Sequence, residues 1–497
     1  MTMEGMLDES QPLLGHVVEY EYTTTENPIV DFNRKGRDEE NPMDWSPAYK
    51  RGIVLLLAFM AFTVTFTCIG VVPVADKIIL NLDGAENTSS SILLVSIWEL
   101  GEAFGPLLIA PLSEIYGRYP VFNIANLLFI IATALSATAT SSKTLIFARF
   151  LTGCATASNV LNPSIIADIF PVEEQGKGMS LVMLAPLLGG AIGPALSGAI
   201  AERFGWRIVL WGSAVVAIIC ELFFFFLFRE TYKVPILQRR AARLRKETGN
   251  ANWKCAWEGD SDAASSSGWR ILWTSVKRPL SVLRSSVVLQ IMSFYGGLTF
   301  SSFYILATTL PRILSQVYGF SPALVGSSFL CFSTGATLGV TISNLFSDKI
   351  YLTLGTRPHH HPVPEYRLPL MILGASLMPF VVALYGWTPH ALWPVSLILL
   401  AAALLGTVMM LIWVPLSLYV VESFGLYSAS AMTMVLVARC LGGTLLPLGI
   451  PPLTGRLGLG PGFLVLAAVC GVLIPVPVVV MRFGGVWRGW SRFSRGE

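Results

Sequence analysis

Apolar residues run in long unbroken stretches along this chain, and polar residues gather in the gaps between them. The stretches cover 53–74, 91–112, 120–139, 144–166, 178–200, 208–228, 286–310, 322–346, 368–386, 391–415, 427–450 and 461–481. Each has about the 20 residues that a helix needs to cross the hydrocarbon of a bilayer. Glycine and proline recur inside them, and membrane helices tolerate both better than soluble helices do. The apolar residues do not alternate over short segments, so a membrane β-barrel is a poor fit. The pattern predicts an all-α integral membrane protein with twelve transmembrane helices. The stretches at 286–310, rich in Ser and Tyr, and at 427–450 match the template least well.

Composition narrows the class. Hydrophobic residues make up 53% of the 497 and charged residues 13%, against about 25% charged in soluble proteins. Soluble enzymes, disordered chains and collagen-like chains are excluded. The net charge of +3 is small; position matters more than the sum. With twelve spans both termini share one side. That side carries Arg34, Lys35, Lys50, Arg51, Arg118, Lys349 and Arg482, and the basic run from Lys233 to Arg284. The other side has only Lys77, Lys143, Arg203, Arg207, Arg312 and Arg456. The excess predicts a multi-pass protein of the cell membrane with both termini cytoplasmic. Asn87-Thr88-Ser89 is the one N-x-S/T sequon and falls on the outer side, making Asn87 the candidate glycosylation site. Glu9 to Leu14 resembles an acidic dileucine sorting signal, which keeps a vacuolar or endosomal membrane as the alternative.

The layout is a tail (1–50), a six-helix bundle (51–229), a linker (230–285), a second six-helix bundle (286–481) and a tail (482–497). Six plus six spans joined by a long linker is the arrangement of transporters built from two halves, which bind substrate near the bilayer midplane. Residues 236–247, ILQRRAARLRKE, read as a basic interfacial helix or as a solvated linker segment. No signal peptide is expected from the polar, acid-rich residues 1–50, so the first span directs insertion. Seven cysteines without paired spacing, only Cys255 in a polar stretch, read as small apolar residues and not as a disulfide framework.

Four features carry a family resemblance. APLSEIYGRYP (110–120) follows the second span and is similar to the loop G-x-x-x-D-R-x-G-R-R of the major facilitator superfamily. Glu114 stands at its acidic position, Gly117 at the turn and Arg118 at its basic position; Ala110, Ile115 and Tyr119 depart from it. Arg149, in FARFLTG (147–153), matches the family's arginine in the fourth helix. APLLGGAIGPALSG (185–198) resembles the antiporter signature, with Ala185, Gly189 and Gly193 on one face and Pro194 and Gly198 after them; Ala185 and Ser197 replace glycines with other small residues. ENPMDWS (40–46), IADIFPVEEQGKGM (166–179), PEYRLP (364–369), LYSASA (426–431) and VARCLGGTLLPL (437–448) follow in the order seen in fungal drug/proton antiporters with twelve spans, a group of multidrug, polyamine and secondary-metabolite exporters. The resemblance spans about 45–485. It implies the major facilitator fold, a conformational gate at Glu114, Gly117 and Arg118, and export by antiport.

Antiport needs a group that binds and releases a proton as the site changes sides, and buried acids suit this. Glu99 and Glu102 lie at i and i+3 in the second span, Glu221 in the sixth, and Asp168 at the cytoplasmic end of the fourth. Glu102 is the candidate proton carrier, Glu99 the second, and Arg149 the modulating charge. Arg439 in the eleventh span either meets an acidic substrate or pairs with Glu422. Trp98, Asn159, Asn162, Gln290, Tyr295 and Trp413 are candidate cavity residues, with Phe303, Tyr304 and Tyr419 as further aromatic walls.

His359-His360-His361 is a weak metal motif and no metal site is assigned; no Walker sequence is present and no nucleophile–base pair suggests an enzyme. No cofactor or nucleic acid is called for. The reading is a monomeric secondary transporter that exports small organic molecules against protons by alternating access. The alternatives are an importer or facilitator of the same fold, and a membrane sensor that moves nothing.

Overall fold

The computed structural model describes residues 29–32, 38–249, 253–255, 268–355, 363–491 and 493–494. The dileucine segment and His359 to His361 lie outside these residues, as does the side chain of Asn159. The first half holds α1 (Pro47–Ile69), α2 (Ala75–Asp83), α3 (Thr88–Tyr116), α4 (Arg118–Thr138), α5 (Ser142–Cys154), α6 (Ser158–Ile169), α7 (Val172–Phe204) and α8 (Trp206–Leu227). The linker holds α9 (Lys233–Thr248) and α10 (Gly268–Ser285). The second half holds α11 (Val287–Gln316), α12 (Pro322–Gly355), α13 (Pro369–His390), α14 (Val395–Phe424), α15 (Ser428–Leu445), α16 (Ile450–Leu457), α17 (Leu459–Val472) and α18 (Pro475–Arg488).

These helices make twelve passes, and among the described residues ten are long and apolar enough to be recognised as spans by those criteria alone. The fourth pass is split into α5 and α6 around Ala155–Ala157. The seventh, α11, has 30 residues but carries Ser293, Tyr295, Thr299, Ser301, Ser302, Thr308 and Thr309. Its polarity reflects its position inside the protein, where Tyr295, Tyr304 and Thr308 are buried.

Helix starts follow local chemistry. Ser46, Asn87 and Ser286 cap α1, α3 and α11, accepting from the backbone N–H of Tyr49 (3.3 Å), Ser90 (3.1 Å) and Leu289 (3.4 Å). Gly117 has φ +99°, which permits the abrupt reversal between α3 and α4. Within the first half, Phe122 of α4 stacks on Phe224 of α8 at 4.5 Å.

Glycines set the closest helix approaches. A Cβ on Gly101 would lie 2.2 Å from the Phe150 carbonyl, and one on Gly153 would lie 2.2 Å from the Trp98 carbonyl. The backbones of α3 and α5 therefore touch, which fixes Glu99, Glu102 and Arg149 relative to each other. The two halves meet where α3 packs on α15 and α7 packs on α12.

The linker is more structured than a solvated segment. Residues 29–30 pair in parallel with 254–255, and Val30, Leu237, Ala241 and Cys255 form a small separate core. Arg240 pairs with Asp38 at 2.6 Å and Arg243 with Glu40 at 3.0 Å. Two cationic side chains of the basic helix α9 are thus spent on the amino-terminal tail. Cys255, in a polar stretch of sequence, is 1% exposed, and none of the seven cysteines is in a disulfide.

Candidate functional site

The centre of the molecule is organised by one face of α3. Ser96, Glu99 and Glu102 recur every three residues, so they point the same way toward the second half. Ser96 and Thr444 of α15 exchange hydroxyl–carbonyl hydrogen bonds at 3.4 and 3.2 Å. Glu99 accepts from the Tyr304 hydroxyl of α11 at 2.7 Å. Glu102 forms an ion pair with Arg439 of α15 at 2.8 Å. Both carboxylates are buried. Arg439 also lies over the rings of Phe300 (4.3 Å) and Trp413 (5.6 Å), a cation–π cage that suits a guanidinium in low dielectric.

Arg149 of α5 is fully buried. It donates to the carbonyls of Thr67 (2.8 Å) and Cys68 (2.5 Å) at the end of α1, whose last carbonyls lack helical partners. Its guanidinium lies 4.6 Å over the Trp98 ring, which in turn packs on Phe129. Burial rules out an arginine that snorkels to the interface. The Nε atoms of Arg149 and Arg439 and the Oδ1 of Asn162 are buried with no hydrogen-bond partner among the described residues. Such atoms are the natural contacts of water or of polar groups on a solute.

At the end of the molecule where the linker lies, Arg118 donates to Ser113 (2.5 Å) and to Asp168 (3.4 Å) and stacks on Tyr232 (4.7 Å). Glu114 faces the charges of Arg118 and of Arg278 from α10. Sequence reading missed Glu230, which organises this cluster. Its carboxylate accepts from the backbone N–H groups of Arg118 (2.8 Å), Tyr119 (3.2 Å), Thr231 (3.1 Å) and Tyr232 (2.9 Å). It therefore caps α4 from the far side of α8, because Gly117 has no side chain to do so. A Cβ at Gly117 would lie 2.2 Å from this carboxylate. Glu230→Ala should cost about 0.5–2 kcal/mol, the range for a lost helix cap, seen as a lower unfolding midpoint in detergent. Glu230→Gln should recover part of that loss.

At the opposite end the halves are closed. Arg312 of α11 makes a bidentate pair with Asp76 of α2, with contacts of 2.6–3.2 Å. Glu202 of α7 accepts from the Ala323 N–H at the start of α12 at 3.0 Å. A Cβ on Gly326 would lie 2.0 Å from the Pro194 carbonyl, and one on Gly198 would lie 2.2 Å from that of Pro322. Gly189 and Gly193 pack instead on α1, beside Phe62 and Phe66.

The arrangement of helices in two halves is also what comparison with known proteins finds. The sequence profile of the Major Facilitator Superfamily matches residues 51–447. The chain belongs to the major facilitator superfamily. It is 32% identical over 470 residues to a protein named efflux pump radE of Floropilus chiversii, covering 94% of this chain and 86% of that one. It is 32% identical over 469 residues to MFS-type transporter penM of Penicillium rubens, covering 94% and 90%. The partially occluded, inward-open xylose transporter XylE of E. coli has the same fold, with a TM-score of 0.64 at 16% identity over 88% of this chain and 98% of that one.

Major facilitator proteins are membrane transporters, and several residues singled out from sequence converge on the centre of this one. Glu99, Glu102, Arg149, Trp98, Trp413 and Arg439 meet there, with Asn162 buried on α6 and donating weakly to the Leu57 carbonyl at 3.5 Å. Others sit elsewhere. Glu221 accepts from Asn126 at 2.7 Å and ties α8 to α4. Gln290 is exposed near the linker and donates to the Leu283 and Arg284 carbonyls, so it does not line the centre. Tyr295 faces a cleft inside the second half. Arg439 does not pair with Glu422, which is taken by Arg367 at 2.7 Å; the acid at Arg439 is Glu102, a partner that the sequence did not suggest.

Proposed function

We propose that this transporter exports small organic molecules and exchanges them for protons, with Glu102 carrying the proton. The reading rests on one observation above all: the buried ion pair Glu102–Arg439 joins the two halves at the centre. Breaking a buried pair by neutralising one partner is costly, because the other charge is left uncompensated. A proton on Glu102 cancels its charge and loosens the tie between α3 and α15. Its departure restores the tie. A protonation event is thereby linked to the contact that moves when a two-half transporter alternates access. Glu99, held by Tyr304, and Arg149, held by the end of α1, keep the surrounding charges in place.

The direction of transport follows the relatives, of which one is named an efflux pump. The charge bias supports a cytoplasmic linker and cytoplasmic termini. In that orientation the closed end faces outward and Asn87, exposed at the start of α3, faces the glycosylating side. The cell membrane is the proposed residence, with the monomer as the transporting unit.

The aromatic cage of Phe300 and Trp413, with the unpaired polar atoms nearby, suits a solute with a flat apolar body and a few hydrogen-bonding groups. The test is retention of a panel of drugs and of the host's own metabolites in cells that lack or overproduce the protein. Overproducing cells should retain less of at least one compound, and a collapsed proton gradient should erase the difference. Equal retention of every compound would overturn the export reading; uptake that persists without a gradient would favour a facilitator.

A further inference from the structure

Apart from the central site, the second half contains a cavity of about 130 Å³. It lies between α11, α13, α14 and α17, with Leu306, Met378 and Leu405 deep inside and nearly inaccessible. No charged side chain lines it. The hydroxyls of Thr299 and Ser301 turn back onto carbonyls of their own helix, and that of Tyr385 meets Thr309. Apart from the hydroxyls of Tyr295 and Ser302 the remaining lining is apolar, and an engineered apolar cavity of about 150 Å³ binds benzene.

The cavity has a mouth, framed by exposed apolar side chains of two membrane passes. It opens at Leu446 and Val469, which are 38% and 48% exposed. Both neighbouring passes break there. Helix α15 gives way to a short turn at Leu446–Gly449 containing Pro447, and α17 ends at Val472 ahead of Pro475. The exposed apolar surface continues from the mouth through Val465 and Val472. The space is therefore continuous with the hydrocarbon around the spans.

We propose that an acyl chain of a bilayer phospholipid occupies this cavity. The consequence reaches the central site through α11. One face of that helix, at Leu298, Ser302 and Leu306, lines the cavity. The other carries Phe300, which lies over Arg439, and Tyr304, which holds Glu99. A seated chain supports α11 from behind and holds those two rings in place, so the lipid is part of the packing that shapes the substrate site.

The test uses the full chain in nanodiscs containing phosphatidylcholine with a diazirine midway along one acyl chain, followed by photolysis and peptide mapping. Adducts on 298–306 and 459–473 should exceed those on the bilayer-facing α8 by at least about fivefold, the ratio that corresponds to about 1 kcal/mol of preference for the cavity. Cys470→Phe, which fills the mouth, should remove that excess; if it does not fold, Leu473→Trp serves the same purpose. Even labelling over all bilayer-facing helices would overturn the proposal. So would an excess that survives both variants, or labelling by a free diazirine fatty acid but not by the phospholipid. None of these outcomes depends on transport, so the export reading stands or falls separately.

Discussion

Glu102→Gln is expected to abolish pH-driven accumulation of substrate in vesicles while leaving downhill exchange measurable. Glutamine has the shape of the protonated acid and cannot give up the proton, so the cycle loses one of its two charge states. Arg439 then keeps its rings but not its carboxylate. Losing one partner of a buried pair costs up to about 3–5 kcal/mol, so a lower unfolding midpoint should accompany the effect. Glu99→Gln should be milder, because the Tyr304 hydroxyl can still donate to the amide oxygen. The measurement is uptake into inverted vesicles under an imposed pH difference. Uphill accumulation at the native level in Glu102→Gln would remove Glu102 from the proton route.

The second large effect is expected from Gly326→Leu. The halves touch backbone to backbone at this point, where an added Cβ would lie 2.0 Å from the Pro194 carbonyl. Overpacking costs about 1–3 kcal/mol. Directed against one of two states, that shifts their ratio by about 5–150-fold. The wedge should hold the far end open and stop turnover. Cys68, buried and 3.8 Å from the Tyr304 hydroxyl, supplies the readout. A membrane-impermeant maleimide applied from that end should label Cys68 faster in the variant than in the native protein. Native turnover with Cys68 labelled no faster would show that this seam does not close the far end.

The fold was largely legible because a bilayer imposes a strong, local rule on sequence: about 20 apolar residues per pass. The rule weakened where function required polarity. Helix α11 was a marginal stretch because its inner faces carry tyrosines, serines and threonines toward buried partners. The fourth pass breaks after Cys154 although its sequence reads as continuous. Glu99, Glu102 and Arg149 stood out as charges within apolar runs. Their partners did not, because the Glu102–Arg439 pair joins positions 337 residues apart and no local pattern encodes it. The same holds for Asp76 with Arg312 and for Glu230 over the start of α4. The spacing Gly101-x-x-x-Gly105, a local signal for the close approach of α3 to α5, went unread.

The presence of two acids and two arginines at the centre has an electrical consequence. With Glu99 and Glu102 ionised, their charges cancel those of Arg149 and Arg439. A step that carries an uncharged solute then shifts no net charge through the field and should not respond to voltage. With one proton added, the returning step carries a unit positive charge, and each 100 mV across the membrane acts on it with about 2.3 kcal/mol. Membrane potential would therefore drive the reset of the cycle and leave the delivery of cargo alone.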